Sequence, residues 1–72
     1  MKLQQRILRE KIRHNEFTDL HIDYELNIHT GDKLRFVTDN NGASTLYVYD
    51  TEWKFSKDKV VVYHYIEKVD VV

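Results

Sequence analysis

The side chains best suited to chemistry in this 72-residue chain are its four histidines, His14, His21, His29 and His64. In Leu20-His-Ile-Asp-Tyr-Glu-Leu-Asn-Ile28, apolar and polar residues alternate without a break. Successive side chains of a strand point to opposite faces, so His21, Asp23 and Glu25 share one face, and His21 with Asp23 has the spacing to chelate a divalent ion. A closed zinc site wants four ligands, and no second cluster supplies the rest. The run therefore reads as an ordinary polar face, and neither a metal nor a cofactor is expected. His64 falls in step with Val60, Val62 and Ile66, which predicts a partly buried imidazole with a hydrogen-bond partner.

Hydrolytic chemistry needs a nucleophile, a base and a group that stabilises developing charge. The only serines, Ser44 and Ser56, stand at turn edges, and two glycines are too few for a phosphate-cradling loop or a nucleophile elbow. No catalytic residue is assigned, and the chain is expected not to be an enzyme.

Charge and aromatic content point instead to contact surfaces. Residues 1–15 carry Lys2, Arg6, Arg9, Lys11 and Arg13 against Glu10, net +4; the remaining residues carry six basic and eleven acidic side chains, net −5. Five Tyr, three Phe and one Trp are many for this length, and each can bury roughly 150–250 Å². Tyr47, Tyr49, Trp53, Phe55, Val61, Tyr63 and Tyr65 are odd-numbered, while Leu46, Val48, Val60, Val62 and Ile66 are even-numbered, so both faces of the C-terminal strands read as apolar. A half-wet sheet does not need that. The expected function is a small non-enzymatic protein-binding module or inhibitor that occupies a partner surface through Tyr47, Tyr49, Trp53 and Tyr65, with Asp50 and Glu52 at the rim. Small acidic sheet proteins of mobile elements can act this way, by imitating a phosphate backbone. The alternative is a nucleic-acid-binding small barrel using a basic N-terminal helix with Arg6, Arg9, Lys11 and Arg13.

Elements to position these residues follow from spacing. Leu3, Ile7, Leu8 and Ile12 lie on one broad helical face among good helix formers, which predicts a helix over 2–14, with His14 and Asn15 at its stop. Period-two patterning from residue 20 predicts five or six short antiparallel strands: 20–28, 33–38, 44–49, a short segment 52–55, 59–65 and 69–72. Turns are expected at 29–32 and at Asp39-Asn40-Asn41-Gly42, the strongest hairpin signal. The fold class is α+β, one domain, with helix 2–14 and a strongly bent antiparallel meander over 20–72.

A basic N-terminal helix, Gly31 in the first turn, and the ending Val60-Val61-Val62-Tyr63-His64-Tyr65-Ile66-Glu67-Lys68-Val69-Asp70-Val71-Val72 resemble the Sm-like small barrels, in hydrophobic spacing that any SH3-like barrel shares. The resemblance implies a curved, nearly closed sheet and ring-like strand contacts, and it transfers no binding residue.

Without cysteine, the chain has no disulfide or thiolate metal site to staple it, and a chain this short is marginal alone. A homo-oligomer is expected, a dimer before a ring, with Val69–Val72 as a sticky sheet edge. The longest uncharged apolar run, Val60–Tyr63, is far too short to span a bilayer, and no secretory signal follows Met1. The expected location is cytoplasmic.

Overall fold

A computed structural model describes residues 3–37 and 42–69. They form five strands: β1 (Leu3–Arg13), β2 (Glu16–Ile22), β3 (Lys33–Val37), β4 (Ala43–Phe55) and β5 (Lys59–Lys68). One sheet holds them in the order β2-β1-β5-β4-β3. The pairing of β1 with β5 is parallel, and the other three are antiparallel.

No helix occurs among the described residues, so the α+β assignment and the helix over 2–14 are wrong. The apolar residues of 3–13 fit two patterns. Their helical spacing is real, but Ile7 and Leu8 are adjacent and both buried. In a strand they point to opposite faces, Leu8 into the core and Ile7 to the other side, where side chains of the flanking strands β2 and β5 stand beside them. Local helix preference amounts to only tenths of a kcal/mol per residue, and strand pairing on two sides overrides it. The Sm-like expectation falls with the helix and with the all-antiparallel meander. Asn15 takes the left-handed conformation, φ 69°, expected of it. It serves there as a hairpin turn between β1 and β2 instead of a helix stop.

The run 20–28 is not one strand. β2 ends at Ile22, and Asp23 turns the chain: its carboxylate accepts the Glu25 backbone N–H at 3.0 Å, and its carbonyl accepts that of Leu26 at 3.1 Å. Residues 23–32 then pass from one sheet edge to the other across one face. Val48 of β4 fastens the far end, accepting from the Gly31 N–H at 2.8 Å and donating to the Asp32 carbonyl at 3.0 Å. Gly31 adopts φ 100°, which favours glycine. Period two predicted the buried side only in part: Ile22 and Ile28 pack against the core and Tyr24 against Arg6, but Leu20 and Leu26, expected on the same face, are half exposed.

The core lies under this crossover. Leu8, Val48 and Ile66 are its buried centre, with Ile22, Ile28, Leu34 and Leu46 around them. We call this the inner face. Each strand contacts only its neighbours in the sheet, so among the described residues β2 and β3 are the sheet's edges. The sheet curves enough that Leu20 of β2 and Phe36 of β3 line one inner groove of about 400 Å³. The opposite, outer face is crossed by no other described segment.

Two β-bulges set which residues reach which face. In β4, Val48 pairs with Ile66 and Asp50 with Tyr65, leaving Tyr49 as the extra residue. In β1, Ile12 is extra between the Lys11–Phe17 and Arg13–Glu16 pairs. A bulge reverses the odd–even rule beyond it. The segments expected as separate strands, 44–49 and 52–55, are thus one continuous strand with a bulge. β5 runs through the middle of the sheet, and the Val69 N–H bonds the Thr45 carbonyl at 2.9 Å. The C-terminal segment was expected on a sheet edge; its described part is not, and residues 70–72 lie outside the described residues. So do 38–41 of the Asn-Gly turn, though the Val37–Ala43 pair closes an antiparallel hairpin around them.

Candidate functional site

The outer face carries an arginine set among aromatic rings. Arg9 on β1 lies directly across from Asp19 on β2. Its Nε and Nη2 donate to the two carboxylate oxygens, each at 2.8 Å. The guanidinium carbon stands 4.3 Å from the ring centre of Tyr63 and 5.5 Å from that of Phe17. A planar guanidinium suits both contacts at once. The pair holds Asp19 below the ordinary carboxylate range, first through the hydrogen bond and then through Coulomb attraction, and it raises Arg9 further. Beyond Tyr63 the row continues to Tyr65, whose ring centre is 6.3 Å from that of Tyr49.

Of the six expected partner-binding residues, the register brings Tyr47, Tyr49, Asp50, Glu52 and Tyr65 to this outer face. Trp53 is separated from them. The bulge at Tyr49 sends Trp53 and Phe55 to the inner side, where their rings stack at 6.2 Å and remain 50% and 69% exposed. Tyr63 and Phe17 were not among the expected site residues, and Arg9 was expected only as a nucleic-acid contact; Arg9 is the cross-strand partner of both Tyr65 and Asp19, which only the register reveals.

The expected nucleic-acid-binding cations do not form one stripe. Arg6 is buried on the inner face, and Arg9 is paired with Asp19. Lys11 and Arg13 are exposed, but the bulge at Ile12 turns them to opposite faces, and Arg13 Nε lies 3.7 Å from Glu16.

The inner face carries a polar site beside the core. His64 on β5 is completely buried, beyond the partial burial its parity with Val60, Val62 and Ile66 predicted. Arg6 on β1 donates through Nη1 to His64 Nε2. An arginine never accepts, so Nε2 is unprotonated and the imidazole proton sits on Nδ1. Nδ1 faces Thr51 Oγ1 at 3.4 Å, and Thr51 Oγ1 lies 2.8 Å from Thr30 Oγ1. Burial, and then the Arg6 charge, push the His64 pKa down to about 4. Arg6 also donates from Nε to the Tyr24 carbonyl at 3.2 Å and lies 5.1 Å from that ring's centre. A pocket of about 330 Å³ opens beside these groups, lined also by Asn27, Ile28, His29 and Trp53.

Among the described residues, no three His, Asp or Glu side chains gather as metal ligands. His21 lies on β2 and His29 on the crossover. Nor is any helix among them long and apolar enough to cross a membrane. No protein-family model matches the chain, and no curated protein or solved structure matches it either.

Proposed function

We propose that this chain is a non-enzymatic protein-binding module that occupies a partner's surface with the outer face of its sheet. The observation that supports this most is Arg9, fixed over Tyr63 by both oxygens of Asp19, on a face no other described segment crosses. Tyrosine and arginine dominate binding energy at protein interfaces. A side chain already held in one geometry loses little freedom on docking, so its contacts are kept as affinity. Tyr49 and Tyr65 extend the patch, and Asp50 and Glu52 give it a charged rim. Ser56 lends no support to a catalytic reading, since its Oγ donates to the Lys59 carbonyl at 3.0 Å within a turn.

The first partner to test is a second copy of the chain, forming a dimer. Exposed Phe17, Tyr49 and Leu3 on a protein this small favour self-association. The experiment is light scattering coupled to size exclusion over a concentration series, with wild type beside the Tyr49→Ala/Tyr65→Ala variant. A dimer that this variant converts to monomer, with unchanged circular dichroism, supports the reading. A monomer that binds nucleic acid in a salt-sensitive way, losing binding in Lys11→Gln/Arg13→Gln, overturns it.

A further inference from the structure

We propose that the inner pocket between the crossover and β4 binds a small oxyanion, a carboxylate or a phosphate group, through Arg6 and Thr30. Arg6 is only 8% exposed, yet among the described residues it forms no ion pair with a carboxylate. A buried cation without a counter-charge is costly, and proteins normally pair it or supply it with an anion. Asp32, on the same loop, accepts the His29 backbone N–H at 2.8 Å and is not paired with Arg6.

The donors that remain point to the same ligand. A guanidinium has five N–H groups. Nε serves the Tyr24 carbonyl and one Nη1 hydrogen serves His64, so the second Nη1 hydrogen and both on Nη2 have no acceptor among the described residues. Among the described residues no sealed polar side-chain atom lacks a partner, so Nη2 reaches open space. Arg6 is one of the residues that line this pocket.

The hydroxyl relay adds a donor from the other wall. With the His64 proton on Nδ1, Thr51 Oγ1 is placed to accept it at 3.4 Å; either oxygen of the 2.8 Å Thr51–Thr30 bond can be its donor, and we take the arrangement in which Thr51 donates to Thr30 Oγ1. The Thr30 hydrogen is then left to donate outward. His29 lines the same pocket, and no carboxylate does. Arg6 has donors to spare on this wall, and a planar guanidinium edge beside a hydroxyl is a recurrent way to hold oxyanions. This face is opposite the proposed protein-binding face, so the two readings stand or fall separately.

Trp53 lines the pocket and is the chain's only tryptophan, so its fluorescence reports directly. The full chain is titrated with sodium phosphate and, separately, sodium acetate, at ionic strength held constant with chloride. A saturable change with either anion is expected, and the stronger of the two identifies the group preferred. Thr30→Val, at an exposed loop position, should weaken it several-fold, and Arg6→Lys at least roughly tenfold, since an ammonium has no fork to match two oxygens. Tyr49→Ala/Tyr65→Ala should leave it unchanged. Circular dichroism checks that each variant is folded, and Thr30→Val decides the matter alone if Arg6→Lys does not fold. A response that never saturates with either anion, or one indifferent to Thr30→Val, overturns the proposal.

Discussion

The Nη1 of Arg6 donates to Nε2 of His64, and this one contact fixes the charge, the tautomer and the orientation of a completely buried imidazole. Protonating His64 would set an N–H against a guanidinium in the least hydrated part of the sheet.

That conflict makes the fold sensitive to acid. In the unfolded chain the imidazole titrates near 6.5, and in the fold near 4. Below 6.5 the unfolded chain takes up a proton that the folded chain refuses, so stability falls as pH drops from about 6.5 toward 4, by up to about 3 kcal/mol. Asp19, held below its ordinary value, adds a loss in the same direction at still lower pH. Urea midpoints between pH 7 and 4 measure the fall. A His64 ring resonance titrating near 6.5 in the folded protein would refute it.

Leu8 and Leu26 are the same side chain in opposite settings, one 2% and the other 51% exposed. Leu8→Ala should cost about 2–5 kcal/mol. Leu26→Ala should change stability by less than roughly 0.5 kcal/mol. Denaturant unfolding of both variants checks the contrast, and a Leu26 loss equal to that of Leu8 would place the core elsewhere.

A double-mutant cycle on Arg9→Met and Asp19→Asn should return a coupling of about 0.5–1 kcal/mol, since both groups stay partly exposed. The coupling should shrink in 1 M salt. Zero coupling at low salt would show that the aromatic rings alone hold Arg9.

Hydrogen exchange should follow strand order. Amides of β5, flanked on both sides, should exchange slowest, and those of β2 and β3 at the edges fastest. Slowest exchange in 33–37 would contradict the sheet order.

Reading the sequence located the strand-rich C-terminal half, the hairpin around the Asn-Gly turn, and the burial of His64. It missed what only pairing decides. Residues 3–13 satisfy helical and strand patterns equally, and the choice was made by β2 and β5 on either side. Trp53 looked coplanar with Tyr47 and Tyr49 because nothing in Val48-Tyr49-Asp50 announces a bulge. Arg6 looked like a surface cation, although only the crossover above it, carrying Tyr24, makes it a buried one.

The parallel contact between β1 and β5 joins segments separated by most of the chain. During synthesis β1 leaves the ribosome well before β5 exists. The β1–β2 hairpin must then wait with Ile7 and Leu8 lacking their neighbours, while β3 and β4 emerge behind it. The sheet can be completed only when its middle strand arrives late and inserts between two hairpin halves. Until that moment the nascent chain presents open strand edges on both sides of a gap, and it is in this interval, before folding ends, that the protein is most exposed to mispairing with another copy of itself.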